Sequence, residues 1–221
     1  YIDHYAGSPT LGMEYRPHAM ATEWAGMGAE NVLLAGTHSH LRKKNFPDAK
    51  PLEPVEIDGV EFRFIRNRAY DGNGIGRVLS MADFVGRGWL AARRIAREVR
   101  PDAVIASSTY PFDTYLAQRV AKASGALLVH EIHDLWPLTP IELGGHSPKH
   151  PLMWAMAQAE KSAYRNSDAV VSILPNAEPH VRSLGIVTPV IPIPNGIESD
   201  APNEPAPESF ASQVEDLHER G

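Results

Sequence analysis

Short apolar segments alternate with amphipathic helical segments along almost the whole chain of 221 residues. Within the apolar segments, hydrophobic and polar positions do not alternate, which is typical of central parallel strands that are covered on both faces. The sequence therefore predicts buried parallel strands. They are expected at residues 1–5, 31–36, 103–106, 126–132, 169–174 and 189–193.

Helical patterns occupy the stretches between these strands. Residues 78–96 carry apolar side chains at spacings of three, four and seven, which places them along one stripe of a helix. Further helical patterns lie at residues 115–123 and 154–163. Alternation of strand and helix implies right-handed crossovers, so the predicted fold class is α/β with a doubly wound parallel sheet.

One segment departs from this regular alternation. Residues 55–62 alternate between apolar and polar positions on either side of Asp58-Gly59. A two-residue Asp-Gly turn between alternating segments is typical of a β-hairpin. We therefore expect a hairpin inserted into the parallel sheet.

Composition narrows the class of protein. Hydrophobic residues make up 43% and charged residues 22%, which is ordinary for a globular domain and excludes a disordered chain. The net charge of −6 argues against nucleic acid as a partner. There is no cysteine, which excludes disulfides and thiolate metal sites and fits a cytoplasmic location. No apolar run approaches the ~20 residues of a membrane span.

The first candidate site is the loop after the first strand. It carries Gly7 and Gly12 and leads into a helix that contains Arg16. Glycine lets the backbone approach a ligand closely, and a helix N-terminus with a nearby arginine can bind a phosphate or carboxylate. The loop has neither a dinucleotide-binding nor a Walker pattern. A plain strand-to-helix turn with a surface arginine is the alternative.

The second candidate site follows the strand at residues 126–132. His133 and Asp134 come where a parallel sheet exposes its ligand site, and they could orient a sugar hydroxyl or transfer a proton. A purely structural pair is the alternative. His130 and His133 point to opposite sides of the chain, which makes them poor joint metal ligands.

A third polar segment follows the strand at residues 103–106. Ser108 and Thr109 are candidates for substrate binding there, although capping of the next helix explains the same residues. No G-x-S-x-G pattern supports a hydrolase triad. The ten histidines, including His18 on a helix, lack a compact spacing with acidic residues. They are interpreted as solvated, and no metal site is predicted.

Several of these segments together resemble a known family. They are D-H-Y-A-G-S-P-T-L-G-M-E-Y-R at 3–16, N-V-L-L-A-G-T-H-S-H at 31–40, V-H-E-I-H-D-L-W-P at 129–137, E-K-S-A-Y-R-N-S-D-A-V-V at 160–171 and I-P-N-G-I at 193–197. In order and spacing, they are similar to the amino-terminal half of family 4 glycosyltransferases. The nearest subgroup acts in bacterial surface-polysaccharide and amino-sugar transfer.

The resemblance implies a GT-B architecture, in which two Rossmann-like domains face each other across a cleft. The amino-terminal domain receives the acceptor, and the carboxyl-terminal domain grips the nucleotide-sugar donor. Transfer would retain the anomeric configuration, with no metal or cofactor, while the leaving phosphate helps to deprotonate the acceptor. Residues 1–197 would form the amino-terminal domain, and 198–221 would begin the link to a donor-binding domain that this chain lacks. The chain alone is expected to be inactive.

The resemblance also assigns roles to residues. The loop from Gly7 to Gly12 would lie beneath the donor diphosphate, with Arg16 close by. His133 would contact the transferred sugar, supported by Asp134, and Asn195-Gly196 would be the hinge. The acceptor would be a sugar or a lipid-linked molecule, which would bring peripheral contact with the inner face of the membrane.

Two other functions remain open at this stage. One is a non-catalytic α/β module that binds carbohydrate or protein. The other is a sugar-nucleotide epimerase of the same architecture. An epimerase would need paired acidic groups in the cleft, for which Asp113 and Glu131 are the candidates.

Overall fold

The computed structural model describes residues 1–13, 15–72 and 74–196. The predicted boundary at residue 197 and the predicted linker at 198–221 lie outside the described residues. The strands are β1 (Val32–Gly36), β2 (Pro54–Ile57), β3 (Val60–Ile65), β4 (Ala103–Ala106), β5 (Leu127–Ile132), β6 (Ala169–Ser172) and β7 (Val190–Pro192). The helices are α1 (Arg16–Gly26), α2 (Ile75–Val99), α3 (Asp113–Ser124), α4 (Leu138–Glu142), α5 (Pro151–Asn166) and α6 (Ala177–Ser183).

The amino-terminal residues lie in the middle of the sheet. Three strands are ordered β1-β3-β2 and four are ordered β4-β5-β6-β7. Ile2 forms parallel bridges to Leu34 of β1 and to Ala106 of β4, and so joins the two groups. Every pairing is parallel except that of β2 with β3. The prediction of an α/β fold with a doubly wound parallel sheet and an inserted hairpin is confirmed.

Helices lie on both faces of the sheet. Leu33 and Leu34 are neighbours in β1 and therefore point to opposite faces. Leu34 packs in a buried cluster with side chains of α2 and α3, whereas Leu33 packs with Ala21 of α1. Ile132 at the end of β5 packs with Tyr164 of α5 and Val181 of α6. The sheet is thus a central layer between two helical layers.

The face of the sheet on which Leu33 lies is covered unevenly by helices. In β5, Leu128 is 5% exposed while its neighbour Leu127 is 61% exposed. Ile191 in β7 is also exposed. Among the described residues, α1 is the helix on this face, and it covers the β1-β3-β2 side. Strands β4 to β6 are therefore more completely buried on one face than on the other, and β7 is fully buried on neither, although their sequences predicted burial on both faces.

Local sequence explains two boundaries that position the site. Helix α1 begins at Arg16, immediately before Pro17, because proline is tolerated only in the first helical turn. The hairpin turns at Asp58 and Gly59, both with positive φ (49° and 79°), as a tight Asp-Gly turn requires. The hairpin turn contacts the loop at residues 7–12, since Thr10 donates to the Asp58 carboxylate from its amide and its hydroxyl.

Candidate active site

The site lies at the point where the chain connections diverge. The chain passes from residues 1–4 to β1 on one side, and later crosses from β3 to β4 on the other side. In open parallel sheets, the crevice at the carboxyl ends of such strands binds ligands. The residues that follow β4 and β5 therefore form the expected edge of a ligand site.

A hydrogen-bonded group at this edge centres on His133. The Ser107 hydroxyl lies 2.7 Å from Glu131 Oε2 and 2.8 Å from His133 Nε2. Glu131 Oε2 is itself 3.3 Å from the same ring nitrogen. Because Ala106 pairs with His130 in the sheet, Ser107 and Glu131 come side by side at the ends of adjacent strands. The two side chains hold the imidazole from its Nε2 side.

Glu131 is the carboxylate of this group and accepts several hydrogen bonds. Its side chain is 3% exposed, and Oε2 also accepts a hydrogen bond from the Tyr1 hydroxyl. Burial by itself raises the pKa of Glu131. The hydrogen bond and charge of His133, with hydrogen bonds from Tyr1 and Ser107, outweigh burial and hold that pKa at about 2. Glu131 is therefore a buried carboxylate at neutral pH.

Arg16 connects this group to the last described residues of the chain. Its Nε and Nη2 lie 3.0 and 2.9 Å from Glu131 Oε1. The same guanidinium donates to the carbonyls of Ile193 and Pro194, at 2.9 and 3.2 Å, and to Asn195 Oδ1 at 3.0 Å. Its contacts are with the protein's own groups, a role that the sequence did not indicate.

Asp134 faces the turn that follows it. Its carboxylate accepts hydrogen bonds from the Leu135 amide at 2.8 Å, the Trp136 indole at 3.2 Å and the Thr139 hydroxyl at 2.5 Å. These contacts fix the chain between His133 and α4. Asp134 therefore shapes the wall of the site next to His133.

Ser108 and Thr109 lie on the same pocket as His133 and Asp134. The pocket wall is completed by His130, Glu131, Trp136 and Tyr164, among others. Ser108 Oγ accepts from the His4 amide at 3.0 Å, and its own amide donates to Asp113 at 2.9 Å. Asp113 is fully buried, and burial raises its pKa to about 7 against the opposing hydrogen bonds from Ser108.

The loop containing Gly7 and Gly12 is closed on itself. A Cβ at Gly7 would lie 2.0 Å from the carbonyl oxygen of Met13, so only glycine fits there. Gly12 has a φ of +103°, and its amide donates to the Ser8 carbonyl at 2.9 Å. Both glycines allow tight folding of the loop. They do not line the pocket around His133.

Two absences concern only residues 1–13, 15–72 and 74–196. Among them, no group of three or more histidine, aspartate or glutamate side chains could hold a metal ion. Within the same ranges, no helix has the length and apolar character needed to cross a membrane. Three of the described histidines differ from their interpretation as solvated: His4, His18 and His130 are buried. His18 is 7% exposed, because α1 packs its ring against the hairpin turn at Asp58.

The structure brings together four of the predicted site residues, His133, Asp134, Ser108 and Thr109, and attaches a fifth, Arg16, through Glu131. Sequence reasoning missed the role of Ser107 and of Tyr1, and considered Glu131 only as an epimerase base. For Ser107 and Glu131, the available signal was that each lies at the end of one of two consecutive predicted strands. No local signal pointed to Tyr1.

Comparison with known proteins agrees with this fold. The architecture is the Rossmann-like half of a GT-B fold. Residues 12–196 match the family model of the glycosyl transferase 4-like domain. The chain therefore belongs to this family, and the predicted resemblance is confirmed at that level. No curated protein sequence matches the chain.

One solved structure similar to this chain is sucrose-phosphate synthase from Thermosynechococcus elongatus. The alignment has a TM-score of 0.56 at 13% sequence identity, and covers 99% of this chain and 96% of that chain. At this identity the likeness concerns the fold alone.

Proposed function

We propose that this chain is the acceptor-side domain of a retaining, nucleotide-sugar-dependent glycosyltransferase that builds polysaccharide or glycolipid. The donor would be gripped mainly by a carboxyl-terminal domain, as the family resemblance implies. In this proposal the enzyme belongs to the bacterial surface-polysaccharide subgroup and works in the cytoplasm.

The observation that carries the proposal is the fixed orientation of His133. Its ring is held by Ser107 and Glu131 at the switch point of the sheet, where ligands bind in open α/β folds. A histidine held in this way can donate to or accept from a hydroxyl of the transferred sugar. His133 is therefore the proposed catalytic residue.

The other predicted residues take supporting roles in this proposal. Asp134 is a positioning residue, because its carboxylate holds the turn after His133. Ser108 and Thr109 line the pocket and are the proposed substrate contacts. Gly7 and Gly12 give the loop its shape and allow it to lie beneath the donor. The diphosphate is stabilised by N–H groups and positive charge, mainly from the donor-binding half, with no metal.

A lipid-linked acceptor would bring the enzyme to a membrane surface, and α2 offers a suitable face. Leu90 is 74% exposed and Trp89 is 44% exposed. Arg93, Arg94 and Arg97 are exposed beside them. Apolar side chains next to arginines favour an anionic lipid surface. Sedimentation with phosphatidylglycerol vesicles, but not with phosphatidylcholine vesicles, is expected; equal sedimentation with both would contradict this partner.

The direct test uses the full-length enzyme with UDP-glucose, UDP-N-acetylglucosamine and GDP-mannose as donors. We expect release of nucleoside diphosphate from at least one donor, undiminished in EDTA. Proton NMR of the sugar product should show the same anomeric configuration as the donor. Inversion would refute the retaining mechanism, and loss of activity in EDTA would refute a metal-free one. Carbohydrate binding without release from any donor would favour the non-catalytic module.

A further inference from the structure

The hydrogen bonds around Ser107 determine how His133 is held. A serine hydroxyl has one proton, and here it is donated to the negatively charged Glu131 at 2.7 Å. The serine oxygen, 2.8 Å from His133 Nε2, then accepts a hydrogen bond from that nitrogen. The ring is consequently fixed with a proton on Nε2 and with a single orientation.

The carboxylate that imposes this arrangement is in turn held by Arg16. The Arg16 side chain is 11% exposed and contacts Glu131 Oε1 through Nε and Nη2. A guanidinium is a rigid planar fork, so its donors move together. Nη1 of this fork donates to Pro194 O and Asn195 Oδ1, and Nη2, which also reaches Glu131, donates to Ile193 O. A displacement of residues 193–195 would therefore shift the guanidinium relative to Glu131.

We propose that Glu131 is a positioning residue for His133, and that Arg16 links it to residues 193–195. The orientation of the catalytic ring then depends on where residues 193–195 lie. The inference rests on the proposed function for the catalytic role of His133 and for the hinge at Asn195-Gly196, which overlaps this segment. In that enzyme, movement at the hinge would be transmitted to the imidazole.

A role in stability alone does not account for this arrangement. Burying an ion pair costs desolvation energy that often cancels its attraction, so a buried pair is weak evidence of a stabilising function. Here the pair lies between the proposed catalytic ring and the exit of the chain from the domain. The same carboxylate also receives bonds from Tyr1 and Ser107, which leave it one position in the site.

The first experiment determines which ring nitrogen of His133 is protonated, by ¹⁵N NMR of full-length enzyme that carries ¹⁵N-labelled histidine. Wild type should show His133 protonated on Nε2, and Glu131→Gln should change its nitrogen shifts. Glu98→Gln is the control, because Glu98 also pairs with arginines, Arg63 and Arg94, but lies at the end of α2 that leads into the start of β4. It should leave the His133 signals unchanged. If Glu131→Gln does not fold, Ser107→Ala serves as the second variant.

Kinetics then separate positioning from stability. With the fastest donor of the panel, Glu131→Gln should lower kcat between about 10- and 100-fold, as expected for a misplaced catalytic group, with little change in KM. Glu98→Gln should retain wild-type kcat. Unchanged His133 signals and unchanged kcat in a folded Glu131→Gln enzyme would overturn the positioning role.

The link through Arg16 is tested by hydrogen exchange at the backbone amides of Ile191, Ile193, Asn195 and Gly196, since Pro192 and Pro194 have none. Arg16→Lys keeps the charge but loses the fork, so exchange in this segment should increase. Arg63→Lys is the control, since Arg63 is similarly buried, at 14% exposure, and pairs with Glu61 and Glu98 elsewhere. Equal exchange in both variants would overturn the link. The NMR and exchange results hold whether or not any donor is turned over, so failure of the proposed function is recognised separately.

Discussion

Arg16 and Glu131 form a buried ion pair in which two guanidinium nitrogens, Nε and Nη2, lie 3.0 and 2.9 Å from one carboxylate oxygen. The pair joins the start of α1 to the end of β5, across 115 positions of the chain. Glu131 of this pair also lies 3.3 Å, through Oε2, from His133 Nε2 in the candidate active site. The guanidinium that sequence analysis assigned to a ligand thus also contacts groups of the protein itself.

Replacement of the proposed catalytic histidine should abolish most of the activity without unfolding the protein. For His133→Ala in the full-length enzyme, we expect turnover to fall about 100-fold, because a group in proton or hydrogen-bond contact with the reacting sugar is lost. Nucleoside diphosphate release measures this change. His146→Ala, in an exposed loop, should retain full turnover. Near-normal turnover of His133→Ala would refute its assignment.

Removal of the Ser107 hydroxyl should destabilise the protein. Ser107 is fully buried, and Ser107→Ala leaves Glu131 and His133 without the hydroxyl that bridges them. Loss of a hydrogen bond to a charged group costs about 1.5–3 kcal/mol, which urea unfolding would detect. Ser124→Ala is the control, since that hydroxyl bonds only to carbonyls of its own helix. Equal unfolding midpoints for the two variants would contradict this prediction.

Acid should remove the stabilisation that Glu131 provides. The pKa of Glu131 is about 2 in the folded protein against an ordinary value of 4.5. Its contribution, about 3 kcal/mol, is therefore present above pH 4.5 and is lost as the pH falls towards 2. In urea unfolding, the stability difference between wild type and Glu131→Gln should shrink over this range. A stability difference that stays constant between pH 4.5 and 2 would contradict the lowered pKa of Glu131.

Asp113 should show the opposite dependence on pH. Burial raises its pKa to about 7 from an ordinary value of 3.8, so folding favours its protonated form. Wild type should therefore lose up to about 4 kcal/mol of stability as the pH rises from 4 to 7. Asp113→Asn does not titrate, and its stability relative to wild type should increase over this range. A constant difference between the two in urea unfolding would refute the raised pKa.

The same glycine-to-alanine change should have opposite effects at two positions. At Gly7 the added Cβ would meet backbone oxygens 2.0 and 2.1 Å away, so Gly7→Ala should destabilise the protein by about 1–3 kcal/mol. At Gly86, within α2, no atom lies within 4 Å of the added Cβ. Gly86→Ala should stabilise the helix by about 1 kcal/mol. Thermal unfolding compares the two, and a stabilised Gly7→Ala variant would contradict the closed loop.

The amino-acid sequence by itself determined the class of fold. Apolar strand segments, helical periodicity and the Asp58-Gly59 turn are local patterns, and the backbone follows them because each element buries its own apolar side chains. Residues at the ends of predicted strands, His133 and Ser108 among them, could be placed at one edge because parallel strands end together. The inserted hairpin was predictable for the same local reason.

Only the tertiary structure decided how the site is held together. Tyr1, Arg16, Ser107 and Glu131 come from separate elements, and their contacts depend on the strand order and on the register of β4 with β5. The position of residues 193–195 against Arg16 depends on where β7 ends. Contacts between positions that are far apart in the chain arise from the packing of the whole sheet. No local pattern of hydrophobic and polar residues encodes them, so a single sequence did not reveal them.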